Sequence, residues 1–327
     1  MLEVSNLRVS FRTARGVMRA VDGVSLSLGR QEILGIVGES GSGKSVSLMA
    51  IMGLINDPNA IIEGSIRFEG RELIGLPARE MRKLRGGRIA MIFQDPMTAL
   101  TPVYSVGKQI IEQLRLHTDF GAVTLKSRAL DLLEAVGIPG PRDVIDRFPH
   151  QLSGGMRQRV VIAMALSCNP ALMLADEPTT ALDVTVQAAI LDLIRKLRVD
   201  FTSSVVLVTH NMGVVAEIAD KVAVMYAGRI VEQADTNNMF RKPRHPYTWG
   251  LLDSIPPIAG ERPRRLPSIP GTPPALNRLP PGCSFAPRCT YRSRACAIAP
   301  AMRGETSHSF ACVLDEHRLR TTPGVPR

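Results

Sequence analysis

Three features of the 327-residue sequence predict an α/β fold followed by a proline-rich C-terminal segment. Short apolar runs at 171–175 and 204–208 are typical of strands in a parallel sheet that is covered on both faces, and residues 32–37 also have the pattern of a buried strand. Apolar residues at helical spacing over 184–201 indicate a helix that connects the strands at 171–175 and 204–208. In residues 241–327 the composition changes, since 15 of the 24 prolines lie there, and prolines at that density disfavour helices and central strands.

The length and composition predict a globular chain with one large and one smaller domain. Hydrophobic residues make up 45% of the sequence, and the longest apolar run, Val160 to Leu166, is far shorter than the roughly 20 residues that span a bilayer. No signal peptide is visible after Met1. We therefore expect a cytosolic protein whose membrane role, if it has one, depends on a partner.

The positive charge is concentrated in the C-terminal part. Residues 241–327 hold 14 of the 40 lysines and arginines but only 5 of the 30 acidic residues. A basic segment of this kind is typical of a solvated face, or of one near acidic lipid head groups. The chain has only 1 Trp, 4 Tyr and 9 Phe, so surfaces for stacking on nucleic-acid bases are not expected.

Taken in order, the hydrophobic pattern predicts an alternation of strands and helices with one helical insertion. Two strands are expected at 2–11 and 24–37, separated by a turn at Asp22-Gly23. The later predicted elements are a helix at 46–53, strands at 61–69 and 88–93, mostly helical residues from 106 to about 147, and strands at 222–226 and 229–231. A boundary near Arg241 gives domains 1–240 and 241–327, and the second is expected to be extended.

The segment Gly38–Ser45 matches the phosphate-loop pattern G-x-x-x-x-G-K-S/T between a predicted strand and a predicted helix. Its glycines allow the backbone N–H groups and the helix N-terminus to face a polyphosphate. Lys44 is expected to reach the β- and γ-phosphates, and the Ser45 hydroxyl to ligate Mg²⁺. The alternative, a glycine-rich turn that binds nothing, is disfavoured by the flanking elements. The predicted nucleotide contacts are Gly38, Ser40, Gly41, Ser42, Gly43, Lys44, Ser45 and Val46.

Phe11 lies 27 positions before Gly38. An aromatic side chain there could stack on a nucleotide base. An ordinary core phenylalanine at the end of a strand explains it equally well.

A second glycine-bearing segment, Leu152–Gln158, precedes another predicted helix. Ser153 is a good N-cap, and Gly154 and Gly155 allow close approach of the backbone, so this helix N-terminus is suited to an anion. One molecule cannot easily present both this terminus and the phosphate loop to one triphosphate.

With the run Ala171–Asp176 and Glu177, these segments make residues 1–240 resemble the ATP-binding-cassette (ABC) ATPases. The resemblance implies a P-loop NTPase core with a mixed sheet and a helical subdomain, here about residues 100–165. It also implies two ATPase domains that enclose two ATP molecules head to tail. Ser153, Gly154 and Gly155 would then contact the nucleotide bound by the partner.

The resemblance assigns further roles in the expected order along the chain. Asp176 would hold Mg²⁺ through water, and Glu177 would be the carboxylate that deprotonates the attacking water. Gln94 would sense Mg²⁺ and that water, and His210 would contact the γ-phosphate. Residues 181–183 resemble the loop that couples the two sites. Judged without the resemblance, Asp176 and Glu177 could form a solvated acidic turn, and His210 could be a structural residue at the end of a strand.

Several segments resemble one branch of the family, the ATPases of dipeptide and oligopeptide importers, and their first-named ATPase subunit in particular. These segments are 94–98, 176–187 and 245–248, while Thr101-Pro102 departs from the usual Asn-Pro. The branch implies two membrane permeases, a second homologous ATPase, an extracytoplasmic binding protein and a place at the cytoplasmic face of the membrane. The alternatives are an importer of nickel or another solute, a soluble ABC ATPase that remodels nucleic acid or ribosomes, and an iron-sulfur sensor.

Four cysteines cluster in the C-terminal segment, at Cys283, Cys289, Cys296 and Cys312. In a cytosolic chain such a cluster favours metal over disulfides. Zinc and an iron-sulfur cluster are both possible, although the wide spacing disfavours a zinc ribbon. The resemblance implies a 4Fe-4S cluster, either as a structural staple for the segment or as a redox sensor. Cys168 stands apart and is expected to be a small core residue.

Overall fold

A computed structural model describes residues 1–14, 16–95, 99–179, 183–255, 267–305 and 307–314. Its strands are β1 (Leu2–Thr13), β2 (Gly16–Leu28), β3 (Ile33–Val37), β4 (Ala60–Phe68), β5 (Arg71–Glu72), β6 (Ile89–Ile92), β7 (Leu172–Asp176), β8 (Ser204–Thr209), β9 (Lys221–Tyr226), β10 (Arg229–Asp235), β11 (Arg303–Glu305) and β12 (His308–Phe310). The α-helices are α1 (Lys44–Ile51), α2 (Ala78–Leu84), α3 (Val106–His117), α4 (Ala122–Ala135), α5 (Pro141–Val144), α6 (Gly154–Leu166), α7 (Val184–Asp200), α8 (Met212–Ile218), α9 (Thr236–Arg241) and α10 (Pro246–Asp253).

The chain forms two compact units. The first comprises residues 1–28, 33–74 and 209–327, and the second comprises 29–32 and 75–208. None of the helices in the part of the chain that the structure describes is both long and apolar enough to cross a membrane.

An antiparallel sheet of the first unit corrects the predicted turn at Asp22-Gly23. Its strand order is β2-β1-β4-β5, and β2 continues through both residues. Gly23 has φ of 77°, and the register shifts there, because Leu7 pairs with Val24 while Arg8 pairs with Asp22. The glycine therefore forms a bulge inside a long strand, which is a second common use of a left-handed glycine.

The other strands of the first unit form a mixed sheet in the order β11-β12-β10-β9-β3. The buried strand β3 pairs in parallel with β9, and the following strands are antiparallel. Gly35 of β3 leaves room for α8, since a Cβ at Gly35 would lie 2.6 Å from Val215 Cγ1.

In the second unit β6, β7 and β8 are parallel, with β7 in the centre. All five residues of β7 are buried, as expected for a strand covered on both faces. The helices α3 to α6 occupy the stretch for which the sequence predicts a helical insertion. Ser105 caps α3 by accepting a hydrogen bond from the Lys108 N–H.

The C-terminal segment contains a helix and two short strands of the mixed sheet, β11 and β12, which corrects the expectation of an extended segment. In α10, Pro246 occupies the first turn, where no backbone N–H is needed, and Tyr247 and Trp249 are buried. Strand β12 pairs with β10. The helix therefore tolerates its proline because of the proline's position, and β12 contains no proline.

A buried carboxylate joins β10 to the segment that follows it. Glu232 is fully buried and accepts hydrogen bonds from the N–H groups of Arg244 at 2.6 Å and His245 at 3.0 Å. Its Oε1 lies 2.7 Å from His308 Nε2. One side chain therefore connects β10, the start of α10 and β12.

We predict that Glu232→Ala lowers the free energy of unfolding by about 2–4 kcal/mol, because it leaves two buried N–H groups and an imidazole without their acceptor. Urea unfolding of the full chain measures this. The matched control is Glu63→Ala, which removes an exposed carboxylate from β4 and is expected to change stability by less than about 0.5 kcal/mol. Equal midpoints for the two variants would contradict the prediction.

Candidate functional site

The glycine loop 38–45 lies between β3 and α1, where the sequence predicts a phosphate loop. Gly41 and Gly43 have positive φ angles of 77° and 104°. A Cβ at Gly38 would lie 2.1 Å from Met225 O, and one at Gly43 would lie 2.3 Å from Ala20 O. Only glycine fits at 38 and 43, since backbone carbonyls occupy the space of a side chain.

Lys44 folds back over this loop. Its side chain is buried, and Nζ donates to the carbonyls of Gly38 at 2.8 Å and Glu39 at 2.9 Å. Ser45 and Val46, at the start of α1, are half-buried. The loop therefore holds its one ammonium group beside the N-terminus of a helix, which is an arrangement suited to phosphate.

Two other predicted residues belong to the first unit. His210 is exposed and directly follows β8. The next residue, Asn211, caps α8 by accepting from the Gly213 N–H at 2.8 Å. Phe11 is half-buried in β1, where it pairs with Met18 and Ala60. Its proposed stacking on a base stays a prediction.

In the second unit the carboxyl ends of β6 and β7 bring three predicted residues to one edge of the sheet. Ile92 pairs with Ala175, and the residues that follow approach each other, because Gln94 Nε2 donates to Glu177 Oε2 at 3.1 Å. Asp176 is buried. Glu177 has φ of 47°, an unusual value for a residue with a side chain and one that is often found at functional sites.

The second glycine segment forms the exposed N-terminus of α6. Ser153 caps the helix by accepting from the Met156 N–H at 3.3 Å. A Cβ at Gly154 would meet no atom within 4 Å, whereas one at Gly155 would lie 2.9 Å from Val186 Cγ1. Ser153 and Gly154 are exposed, so this helix N-terminus is open to an anion or to another molecule.

The four C-terminal cysteines line one cavity of about 10 Å³. Burial raises the pKa of the Cys289 thiol to about 11 and also raises the pKa of Cys283 and Cys312. Within the described ranges, no three His, Cys, Asp or Glu side chains are arranged to hold a metal ion. Cys168 lies elsewhere, and is half-buried beside Ser167.

One residue that contacts the glycine loop, Arg288, belongs to none of the sequence motifs. Arg288 donates to both carboxylate oxygens of Glu39, at 2.6 and 2.9 Å. Neither position carries a recognisable signal, because Glu39 occupies a variable position of the loop pattern and Arg288 lies among the cysteines. Residues 96–98 of the predicted segment 94–98, and residues 180–182 of the predicted segments 176–187 and 181–183, lie outside the described residues.

The strand, glycine loop and helix, together with the acidic residues Asp176 and Glu177 at the end of the buried strand β7, define a P-loop nucleotide-binding protein. A family model described as ABC transporter matches residues 21–180, and one described as oligopeptide/dipeptide transporter, C-terminal region, matches residues 231–296. The chain belongs to the ABC transporter family and is an ABC-type ATPase. This confirms the resemblance noted from the sequence.

Relatives match over most of the chain. The oligopeptide transport ATP-binding protein OppD of Bacillus subtilis is 53% identical over 89% of this chain and 82% of its own length. The dipeptide transport ATP-binding protein DppD of Escherichia coli is 49% identical over 92% of each chain. Among solved structures, a dimeric post-hydrolysis state of the ATP-binding cassette MJ0796 with ADP and Pi has a TM-score of 0.66 at 28% identity, over 72% of this chain and 99% of that one.

We predict that Gly43→Ala abolishes nucleotide binding whereas Gly41→Ala weakens it only modestly. Both substitutions impose about 1–3 kcal/mol of backbone strain, but only the first places a methyl group against a carbonyl, since a Cβ at Gly41 meets no atom within 4 Å. Titration of each variant with a fluorescent ATP analogue tests this. Similar affinities for the two variants would show that the contact with Ala20 does not constrain the loop.

Proposed function

We propose that this chain is the ATP-hydrolysing subunit of a binding-protein-dependent importer of dipeptides or oligopeptides. The observation that carries the proposal is the similarity to OppD and DppD, which extends through the C-terminal region beyond the ATPase core. A soluble ATPase that remodels nucleic acid or ribosomes does not explain that region.

In the proposed ATP site, the glycine loop holds the phosphates. Lys44 would exchange its present carbonyl acceptors at Gly38 and Glu39 for phosphate oxygens, which are better acceptors because they are charged. Mg²⁺ would be held by the Ser45 hydroxyl, the Gln94 amide oxygen and, through water, Asp176. These are all oxygen ligands, the type that Mg²⁺ prefers, and the ion would neutralise charge on the phosphates.

Glu177 is the proposed general base. Its contact with the Gln94 amide orients the carboxylate, so that it can take a proton from the attacking water. His210 would donate a hydrogen bond to the γ-phosphate. The geometry within the second unit supports the pairing of Gln94 with Glu177, and the family resemblance supports the remaining assignments.

The exposed N-terminus of α6 is proposed to face the nucleotide of a second ATPase subunit. Ser153, Gly154 and Gly155 would donate backbone and side-chain hydrogen bonds to the partner's γ-phosphate. ATP would then join two subunits, and hydrolysis would release them. We propose that the second subunit is a homologous ATPase, and that the pair acts on two permeases at the cytoplasmic face of the membrane, with a binding protein on the other side.

We also propose that the four C-terminal cysteines hold a metal centre that staples their segment. The support for this proposal is that four thiols, which can all serve as metal ligands, line one cavity, and metal binding can supply folding energy directly. Binding would require the thiols to lose their protons and, for a cluster, the small cavity to widen. The family resemblance favours a 4Fe-4S cluster over zinc.

We predict that Glu177→Gln lowers ATP hydrolysis by roughly 10²- to 10⁴-fold, because it removes the base, while nucleotide affinity stays unchanged. The assay is peptide-stimulated ATP hydrolysis by the complex in vesicles. Asp192→Asn removes an exposed carboxylate from α7 and is the matched control. Retention of peptide-stimulated hydrolysis in Glu177→Gln would overturn the assignment, and failure of any peptide to stimulate the unaltered complex would overturn the substrate class.

The metal centre is tested by analysing anaerobically purified protein for iron, acid-labile sulfide and zinc. We predict that the unaltered chain and Cys168→Ser each contain as much sulfide as iron. We predict that Cys289→Ser contains neither. One zinc per chain without iron would overturn the choice of an iron-sulfur cluster. Absence of both metals would overturn the metal centre itself.

A further inference from the structure

Glu39, the second residue of the glycine loop, is held by contacts on all its polar groups. Its N–H donates to the Tyr247 hydroxyl at 2.9 Å, and its carbonyl accepts from Lys44 Nζ at 2.9 Å. Its carboxylate accepts from both terminal nitrogens of Arg288. Two of these three partners belong to the segment after residue 240, so that segment contacts the loop directly.

Contacts other than the one with Glu39 also hold the Arg288 side chain in place. Its side chain is only 4% exposed, Nε donates to Pro270 O at 2.8 Å, and the Tyr226 hydroxyl lies 3.4 Å from Nη1. A bidentate pair of this kind is strong and geometrically specific. It also neutralises a carboxylate that belongs to a loop suited to phosphate.

The same arginine adjoins the cysteine cavity. Arg288 precedes Cys289 in the sequence and ends the short 3-10 turn Ala286–Arg288. Phe285, which lines the cavity, lies 5.3 Å from both the Tyr226 and Tyr247 rings, measured between ring centroids. Packed aromatic rings therefore connect the cavity to the two tyrosines that contact Arg288 and Glu39.

We propose that the cysteine-bearing segment sets the conformation of the phosphate loop. In this proposal Arg288 is a positioning residue for nucleotide binding, because it holds the Glu39 carboxylate, and Tyr247 holds the Glu39 N–H. Movement of Glu39 displaces the backbone of the glycine loop that would hold the phosphates, and loss of Arg288 leaves a negative charge on the loop. Both effects weaken the binding of an anion. This inference rests on the proposed function, because it assumes that the loop binds a nucleotide.

The test is the affinity of the full chain for a fluorescent ATP analogue with Mg²⁺, measured for Arg288→Gln, Glu39→Gln and the double variant. We expect Arg288→Gln and Glu39→Gln each to weaken binding, Arg288→Gln by roughly fivefold or more. The double variant is expected to bind no more weakly than Arg288→Gln, since both changes remove the same contact. The control is Arg278→Gln, which removes an exposed arginine of the same segment.

Affinity of Arg288→Gln within twofold of the control overturns the proposal, as does a double variant whose loss is the product of the two single losses. If Arg288→Gln does not fold, Tyr247→Phe replaces it, because this change keeps the ring and removes only the acceptor of the Glu39 N–H. Weaker binding supports the proposal, and unchanged binding overturns it.

Two further measurements separate this inference from the proposed function. If the unaltered chain fails to bind the analogue, or if Lys44→Ala binds it equally well, the proposed function fails. If the unaltered chain binds the analogue and Lys44→Ala does not, but Arg288→Gln binds it as tightly as the control Arg278→Gln, the ATP site is supported and the positioning role of Arg288 is overturned. Metal content measured on the same samples shows whether a variant acts by losing metal instead.

Discussion

The close approach of the glycine loop to two backbone carbonyls is the constraint on which the first unit depends. Ala20 O belongs to β2 of the antiparallel sheet, and Met225 O belongs to β9 of the mixed sheet. The two sheets also meet at Gly228, whose carbonyl accepts from the Asp22 N–H and whose own N–H donates to Ser42 O. The loop is thus enclosed by backbone on two sides, and its shape follows from the packing of both sheets.

In the second unit the chemistry follows from strand order. Parallel strands bring their carboxyl ends to one edge, so Gln94 and Glu177, 83 residues apart, come within hydrogen-bonding distance. The N-terminus of α6 is built differently, since its serine cap and glycines lie at an exposed helix end. Its first residue, Gly154, has no neighbour that a side chain would meet. Exposed backbone of this kind suits contact with a second molecule.

The sequence was sufficient to predict the elements whose signal is local. The apolar runs predicted β3, β7 and β8, and the loop pattern predicted the turn between β3 and α1. Gly23 was misread because a left-handed glycine serves equally in a turn and in a bulge, and only strand pairing distinguishes them. The contacts of Glu232 with His308 and of Glu39 with Arg288 join residues 76 and 249 positions apart. No short pattern encodes such contacts, since each partner is an ordinary polar residue in its own segment.

Strand β12 also has a consequence for how the chain can be divided. It covers the hydrogen-bonding edge of β10, and the outermost strand, β11, is only three exposed residues long, with charges at Arg303 and Glu305. Short, charged borders of this kind resist pairing with other sheets. A polypeptide cut after residue 240 would instead present the uncovered backbone of β10, with Glu232 deprived of its donors. Such a fragment would have an exposed strand edge with which the strand of another molecule could pair.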